Sequence, residues 1–283
     1  MVDFQSRVKG HLGDYKKNTL LISQPGTYLY KKGDTVFEKE YDYILPRELA
    51  NLNLLEKYRN DFNESDYKEN ITFHKYFHHL NSSQAVCINF FYPLIKEQQL
   101  DKLLKILSIK DIVNYNSDDI VFEKKSMLEK ENERKTNFDF FMKLGSGVKL
   151  HFEIKYSETE FGKQKEDPEH IRKFEKTYFP ILKDHPAIKE DYKNLEVFLR
   201  NYQAMRNLLH IAEDSYVIFL YPNENIKIRE EALAARKEIL ENGWKDKFIL
   251  LTWEDLVHQL SVLLKSKELI NYYKEFNRKY LDL

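Results

Sequence analysis

Cysteine is almost absent from this sequence, and its near-absence excludes the structures that require several cysteines. Cys87 is the only cysteine, so the chain can form neither an internal disulfide nor a cluster of thiolate metal ligands. Its neighbours Val86, Ile88 and Phe90 are apolar. This setting indicates a small buried hydrophobic residue rather than a catalytic thiol.

The chain also lacks an excess of charge of either sign and lacks a long apolar run. Its 45 basic and 46 acidic residues give a formal net charge of −1, which does not favour nucleic-acid binding, although a local cleft can still be positive. The apolar runs are shorter than the roughly 20 residues needed to cross a bilayer. The first residues do not have the pattern of a signal peptide. We therefore expect a cytoplasmic protein with no membrane association.

Glycine and proline are scarce, with 8 and 7 residues, whereas tyrosine and phenylalanine contribute 19 each. Few turn residues and many aromatic side chains predict long elements around a sizeable core. Turn signals are frequent only near the beginning, at Gly10, Gly13, Pro25-Gly26 and Gly33. We therefore predict that residues 1–43 are irregular, apart from a short strand at 27–30.

Two strand-like arms on either side of Gly145-Ser146-Gly147 form the most informative segment. Apolar and polar residues alternate in both arms, which predicts two strands with one buried face. A three-residue turn would place Asp139 opposite Glu153, with Cβ atoms about 4.5–5.5 Å apart. Two carboxylates so close repel each other, and the usual remedy is a divalent cation with oxygen ligands. Lys155 follows two residues later on the same face.

The alternative is that this polar strand face is only solvated. Glu-x-Lys triplets are common in a chain that is 32% charged, and further copies begin at Glu123 and Glu133. The copy at Glu153 differs because it lies in a strand pattern and faces an aspartate across a hairpin. That context favours a site.

Asp139 and the triplet Glu153-Ile154-Lys155 resemble the Asp…Glu-x-Lys core of the PD-(D/E)xK nuclease superfamily. Phe138 replaces the proline that usually precedes the aspartate. Three further sequence segments are similar, in their order along the chain, to one branch of restriction-endonuclease-like proteins of prokaryotes. These segments are residues 80–85 (Leu-Asn-Ser-Ser-Gln-Ala), 136–139 (Thr-Asn-Phe-Asp) and 202–207 (Tyr-Gln-Ala-Met-Arg-Asn). The resemblance spans about residues 70 to 255.

This resemblance implies a metal-dependent DNA endonuclease that hydrolyses phosphodiester bonds. Mg²⁺, with Mn²⁺ as a substitute, would be held by Asp139, Glu153 and the main-chain carbonyl of Ile154. Lys155 would stabilise the attacking hydroxide or the charge on phosphorus. None of this requires a nucleophilic serine or a phosphate-binding glycine loop, and neither motif is present.

Three further residues are candidates for the site. Gln203 and Arg206 share one helix face with Asn207 and His210; such a face is usually solvated, but the resemblance favours a site role for the first two. The resemblance also places Gln84 near the active site. Its alternative role is an ordinary hydrogen bond at the start of a helix that Ser82 or a neighbour would cap.

The resemblance favours double-stranded DNA as the substrate and a restriction or defence setting, in which cutting both strands is compatible with a homodimer. One alternative is a repair or recombination nuclease that acts on branched or single-stranded ends. The other is a non-catalytic nucleic-acid-binding relative of the fold, in which the acidic face is structural.

The whole pattern predicts an α/β fold with a restriction-endonuclease-like core. From residue 84 onward the predicted order is helix, three strands, helix, strand, helix, strand, helix. An antiparallel hairpin meander followed by crossover-linked strands gives a mixed β-sheet flanked by helices. We expect residues 71–283 to form this core and residues 1–70 to form an N-terminal extension packed on it.

Further helices are predicted from after Pro46 to about residue 62, over residues 73–80 and over residues 187–212. His74 and His78 have the i, i+4 spacing of helical zinc ligands, with His79 adjacent. The sequence offers no obvious third ligand, which favours ordinary packing of these histidines.

Two polar segments flank the predicted site. Residues 129–135 are predicted to form a solvated turn, in which Glu129 is the best placed residue if a further metal ligand or a water-binding carboxylate is needed. Residues 157–165 contain lysines and Gly162. That segment fits either a loop that approaches a phosphate backbone or a mobile surface loop.

Overall fold

A computed structural model describes residues 2–129 and 135–283 of the chain. The chain divides into two units, which we call unit 1 (Met1–Ile106 with Trp253–Leu283) and unit 2 (Leu107–Thr252). The boundary predicted between residues 70 and 71 lies inside unit 1, and the division into extension and core stays a prediction.

The described residues form helices and two β-sheets. The helices are α1 (Phe4–Asn18), α2 (Glu56–Asn63), α3 (Asp66–Glu69), α4 (Ser83–Lys96), α5 (Leu100–Ile106), α6 (Pro168–Lys173), α7 (Phe179–Leu182), α8 (Leu195–Arg200), α9 (Tyr202–Leu208), α10 (Ile226–Ala234), α11 (Trp253–Leu263) and α12 (Lys267–Tyr280). The strands are β1 (Gly26–Lys32), β2 (Thr35–Tyr41), β3 (Ile120–Lys125), β4 (Asn137–Lys143), β5 (Lys149–Ile154), β6 (Ser215–Tyr221) and β7 (Phe248–Thr252). Segments of 3-10 helix are Arg47–Asn53, Glu190–Tyr192 and Asn242–Lys247, and π-helical turns are Phe174–Tyr178 and Ala235–Ile239.

Unit 1 begins with a helix, so the prediction that residues 1–43 are irregular was wrong. Asp3 caps α1 by accepting a 3.0 Å hydrogen bond from the backbone N–H of Ser6. Gly10 and Gly13 lie inside this helix, and a Cβ at Gly13 would come within 3.3 Å of Asp42. Close packing, rather than a turn, therefore accounts for Gly13. The short strand predicted at residues 27–30 is confirmed as part of β1, which pairs with β2.

The segment around His74 forms turns and not the predicted helix. The side chain of Asn53 donates hydrogen bonds to the carbonyl oxygens of Phe77 (2.6 Å) and His79 (2.7 Å). In a continuous helix these carbonyl oxygens would instead accept from backbone N–H groups of the next turn. His79 is buried, and burial lowers its pKa to about 3. Burial also lowers the pKa of His78, and His79 therefore packs as a neutral ring.

Unit 2 contains a five-stranded sheet in the order β3-β4-β5-β6-β7. The first three strands are antiparallel, and β5, β6 and β7 are parallel. The predicted mixed sheet of meander and crossover strands is thus confirmed. Every residue of β6 except Tyr216 is buried, as expected for a strand covered on both faces.

The predicted turn between β4 and β5 is also confirmed. The N–H of Leu144 donates to the carbonyl of Val148 at 2.8 Å, and Gly147 has φ +93°, a value that side chains disfavour. Phe140 pairs with Phe152, so the same register, continued by one residue, sets Asp139 opposite Glu153.

The expectation that only one face of this hairpin is buried was wrong. Phe141 and His151, which belong to the predicted polar face, are 6% and 8% exposed, and Glu153 is 3% exposed. Side chains from the helical segment after residue 200 cover that face: the ring of His210 lies 5.3 Å from that of His151.

Two predicted helices are interrupted. In place of one helix over residues 187–212, Asn194 caps α8 by accepting from the N–H of Val197 at 3.0 Å, and Asn201, with φ −115° and ψ 32°, separates α8 from α9. Likewise, extended residues at Leu54 and Leu55 divide the helix predicted after Pro46.

Phe152→Ala should lower the free energy of unfolding by about 3–5 kcal/mol, because the substitution leaves a cavity where a fully buried ring packs against Phe140. Phe179→Ala, at a position 40% exposed in the same unit, is the matched control and should lose much less. Urea titration followed by circular dichroism measures both. Equal losses would contradict the assignment of Phe152 to the core.

Candidate active site

The hairpin ladder between β4 and β5 ends at the Phe140–Phe152 pair. Beyond that pair, the N–H of Ile154 donates to Oδ2 of Asp139 at 2.6 Å. On the other side of β5, the N–H of Lys155 donates to the carbonyl of Leu220 at 2.9 Å. The carboxylate of Asp139 is therefore fixed against the backbone at the end of β5.

Glu153 and Lys155 form a buried ion pair. The Nζ of Lys155 lies 3.0 Å from Oε1 of Glu153, and Lys155 and Glu153 are 7% and 3% exposed respectively. Such a pair needs further hydrogen bonds, because burial removes the water that would otherwise solvate both charges.

Helix α9 supplies those hydrogen bonds through two amide side chains. Gln203 accepts from the Nζ of Lys155 at 3.0 Å and donates to Oε1 of Glu153 at 2.6 Å. Asn207 donates to Oε2 of Glu153 at 3.0 Å. Gln203 and Asn207 are four residues apart and hence on one face of the helix, so a single turn of α9 serves both carboxylate oxygens.

The charges in this cluster influence one another. Burial and the neighbouring charges of Glu153 and Glu123 raise the pKa of Asp139 well above its usual value. Burial alone would lower the pKa of Lys155, but the carboxylates of Glu153, Glu158 and Asp139 outweigh it and raise that pKa. Lys155 therefore remains an ammonium ion at neutral pH.

Arg206 lies one residue before Asn207, and its partner is a second buried carboxylate. Its guanidinium is 3.1 Å from Oε1 of Glu129, which also accepts from the N–H of Thr136 at 2.9 Å and from the hydroxyl of Tyr178 at 3.0 Å. Burial would raise the pKa of Glu129, but hydrogen bonds from Ser126 and Thr136 and the charge of Arg206 lower it to about 2.

The expectation of a solvated turn is wrong for Glu129, which is 3% exposed. Its role as a further metal ligand stays a prediction, and the ion pair with Arg206 gives the side chain a structural use. The rest of the predicted turn at residues 130–134 lies outside the described residues.

The segment 157–165 packs on the same cluster. The ring of Phe161 is 4% exposed, stacks on Phe219 at 4.7 Å and lies 5.4 Å from the Nζ of Lys155. The N–H of Gln203 donates to the carbonyl of Gly162 at 3.4 Å. The middle of the segment, at Phe161 and Gly162, therefore packs against the rest of unit 2. Contact of the segment with a phosphate backbone stays a prediction.

A cavity of about 440 Å³ opens beside these residues. Its walls include Gln203, Arg206 and Asn207 from α9, with Phe161 from the packed segment and Lys173 from α6. The amide and guanidinium side chains of α9 therefore border a space that can admit part of a ligand.

Gln84 lies in unit 1, at the start of α4. Its side chain accepts from the N–H of His74 at 2.9 Å and donates to the carbonyl of Thr72 at 3.2 Å. These bonds correspond to its alternative role near a helix start, where Ser82 is confirmed as the cap. A catalytic role for Gln84 stays a prediction.

The donor set suits a hard cation with few protein ligands. Within residues 2–129 and 135–283, no group of three or more His, Cys, Asp and Glu side chains could hold a metal ion. Asp139 and Glu153 with the carbonyl of Ile154 form a smaller set of oxygen donors. Mg²⁺ commonly uses one or two carboxylates and keeps several waters. Burial and the neighbouring carboxylates raise the pKa of Asp139, and a bound cation would favour its ionised form.

Sequence reasoning did not select Asn207 as a site residue. It shares the polar face with Gln203, Arg206 and His210, but nothing in the sequence shows whether its side-chain amide is buried in the site or exposed to solvent. In the structure it is 0% exposed. Its spacing of four residues from Gln203 is the signal that could have identified it.

The mixed sheet with its flanking helices is compatible with the restriction-endonuclease-like fold. Residues 9–281 match the family model described as Restriction Endonuclease associating with ARP. The chain belongs to this family and is a restriction-endonuclease-like protein. No curated protein and no solved structure matches the chain. None of the helices in the described residues is long and apolar enough to span a membrane.

The ion pair of Glu129 predicts a specific loss of stability in acid. A carboxyl whose pKa is about 2 in the folded protein, against an ordinary 4.5, stabilises the fold fully above about pH 4.5. That contribution is lost as the pH falls from about 4.5 to about 2, because protonation then favours the unfolded chain.

Urea denaturation of the wild type and of Glu129→Gln across this range measures the effect. The variant should be less stable than the wild type at neutral pH, and the gap should narrow on acidification. As a control, Glu196→Gln changes a side chain that is 83% exposed and should follow the wild type. A constant gap at every pH would contradict the assigned pKa.

Proposed function

We propose that this chain is a metal-dependent DNA endonuclease that hydrolyses phosphodiester bonds in double-stranded DNA. The observation that carries the proposal is the arrangement of two carboxylates and one ammonium group at the end of β5. Asp139 bonds to the N–H of Ile154, and Glu153 pairs with Lys155. Two carboxylates can hold a metal ion that assists hydrolysis of a phosphate ester, and an ammonium group beside them can stabilise the charge that develops.

Asp139, Glu153 and the carbonyl of Ile154 would hold Mg²⁺, with Mn²⁺ as a substitute. When bound, the ion supplies a water that is more easily deprotonated and neutralises charge on a phosphate oxygen. Oε1 of Glu153 bonds to both Gln203 and Lys155, whereas Oε2 accepts from Asn207 and, with two lone pairs, keeps one for a cation. The bonds that Glu153 accepts from Gln203 and Asn207 are therefore compatible with a ligand role.

Lys155 brings positive charge to the reacting phosphate. Its raised pKa keeps it protonated, and Glu153 and Gln203 hold its ammonium group from two sides. A cation fixed in advance stabilises developing negative charge without having to reorganise during the reaction. Gln203 positions this cation, and Arg206, fixed by Glu129, contributes positive charge to the wall of the adjacent cavity.

The setting we propose is restriction or defence, in line with the family description, which also names an association with ARP. We extend that association to this chain as part of the proposal. Cleavage of both strands of a duplex would be served by a homodimer, in which each copy cuts one strand.

Asp139→Asn and Lys155→Ala should each reduce cleavage of plasmid DNA in Mg²⁺ by at least about 100-fold, because the first removes a charged metal ligand and the second removes a cation that stabilises the transition state. Gel analysis of supercoiled, nicked and linear forms gives the rate. Asp184→Asn is the control for the aspartate, since that side chain is 81% exposed, and circular dichroism tests that each variant folds.

Three outcomes separate the proposal from its alternatives. Cutting of duplex plasmid by the wild type, abolished in both variants, supports it. Cutting confined to flaps or single-stranded ends would favour the repair nuclease. DNA binding without cutting in Mg²⁺ or Mn²⁺ would favour the non-catalytic relative and reject the enzyme.

Gln203→Ala should lower kcat by about 10–100-fold, because residues that orient a metal ligand or its neighbour commonly have effects of this size. The substitution removes the amide that donates a hydrogen bond to Glu153 and accepts one from Lys155. Gln164→Ala, at an exposed position in the wall of the same cavity, should leave kcat nearly unchanged. If the two variants behave alike, Gln203 has no positioning role.

A further inference from the structure

The hairpin of β1 and β2 in unit 1 projects an unusual arrangement of side chains. Its two strands form a separate two-stranded sheet, and every residue from Tyr30 to Glu40 is exposed. A two-stranded hairpin has little stability of its own, so its exposed side chains contribute little to folding. The composition of each face can therefore indicate a binding function.

One face combines aromatic rings with lysines. Antiparallel pairing places Tyr28 across from Lys39, Tyr30 across from Phe37, and Lys32 across from Thr35, and paired residues share a face. Tyr41, two residues beyond Lys39, belongs to the same face. We call this set the tyrosine face, which consists of Tyr28, Tyr30, Lys32, Phe37, Lys39 and Tyr41.

The rings of the tyrosine face form a continuous row. The centroid of Tyr30 lies 5.5 Å from that of Phe37 and 6.0 Å from that of Tyr28, with interplanar angles of 21° and 14°. The ring of Tyr28 lies 6.5 Å from that of Tyr41. Tyr30 and Phe37 are 38% and 40% exposed, so the row presents ring surface to solvent.

The acidic residues of the two strands lie on the opposite face. Glu38 pairs with Leu29, and Glu40 pairs with Thr27, so both carboxylates point away from the tyrosine face. Within strands β1 and β2, which are fully described, the tyrosine face carries positive charge alone. The row continues onto Tyr76, whose ring is 5.3 Å from that of Tyr28 and has the Nζ of Lys75 4.4 Å from its centroid.

Cross-strand aromatic pairs stabilise hairpins, and this accounts for the half-buried Tyr28 and Tyr41. It does not account for the segregation of charge or for the exposed rings of Tyr30 and Phe37. Exposed rings at regular intervals, interleaved with lysines and free of carboxylates, match the requirements of a strand of unpaired bases. Bases stack on aromatic rings, and phosphates pair with ammonium groups.

We propose that the tyrosine face binds single-stranded nucleic acid. Tyr30 and Phe37 stack on bases, and Lys32 and Lys39 contact phosphates. A duplex keeps its bases stacked within the helix, so the rings discriminate in favour of unpaired strands. The site is in unit 1, whereas the residues proposed for hydrolysis are in unit 2, and its binding does not depend on the nuclease proposal.

Fluorescence anisotropy of the full chain in EDTA, with a labelled short oligodeoxythymidine, a matching oligouridine and a duplex, tests this site without cleavage. The wild type should bind one or both single strands more tightly than the duplex. Tyr30→Leu with Phe37→Leu should weaken single-strand binding at least about tenfold, because base–aromatic stacking contributes about 1–3 kcal/mol per base. Leu29→Ala with Val36→Ala, on the opposite face, is the control pair and should bind as the wild type does.

The lysines provide a test that keeps every ring in place. Lys32→Gln with Lys39→Gln should lower the dependence of log Kd on log salt by about 0.7 for each phosphate that the variant no longer neutralises. Lys31→Gln, across from Val36 on the opposite face, should leave that dependence unchanged.

Equal binding of single strand and duplex by the wild type would overturn the proposal. Equal weakening in the ring variant and in its control pair would do so too, as would a ring variant that binds single strands as tightly as the wild type does. Plasmid cleavage in Mg²⁺ should persist in all these variants, which separates this site from the proposed nuclease.

Discussion

Glu153 and Lys155 lie at the end of a strand that is covered on both faces, where neither charge could remain without a partner. Removal of one member of a buried pair typically costs about 3–5 kcal/mol, because the other member is then left unsolvated. The amides of Gln203 and Asn207 complete the hydrogen bonding of this pair. The position of α9 against β5 is therefore set by electrostatics as well as by apolar packing.

Helix α9 is only seven residues long, yet it contacts two buried carboxylates. Gln203 and Asn207 bond to Glu153, while Arg206 bonds to Glu129. A displacement of this helix would disturb both clusters together. Asn201 ends α8 before α9 begins, so α9 is a separate helix.

The elements that sequence reasoning predicted correctly are those in which one physical signal dominates. Alternation on both sides of a glycine-rich turn defined the β4–β5 register, and a continuous apolar run defined β6. The family followed from the resemblance around Asp139, Glu153 and the further matching segments, and the mixed sheet followed from the predicted order of strands and helices. The roles of these residues and of Gln84 are still predictions.

The errors arose where tertiary contacts outweigh local pattern. The turns around His74 exist because Asn53, from a distant segment, bonds to their carbonyls. Gly13 suggested a turn, but the approach of Asp42 explains a glycine inside α1. Side chains from beyond residue 200 bury the polar face of the hairpin. The alternation of apolar and polar residues within β4 and β5 contains no information about so distant a segment.

Unit 1 combines the beginning of the chain with its last two helices, and this arrangement affects the order of folding during synthesis. In α12, Lys279 donates to the carbonyl and the side chain of Asn53, and the hydroxyl of Tyr272 donates to the carbonyl of Asn89. These acceptors emerge from the ribosome long before their donors. Unit 2 is continuous in sequence and can complete its sheet earlier, since domains generally fold as units during translation. The residues proposed for hydrolysis can therefore assemble while the amino-terminal portion of the nascent chain still awaits its closing helix.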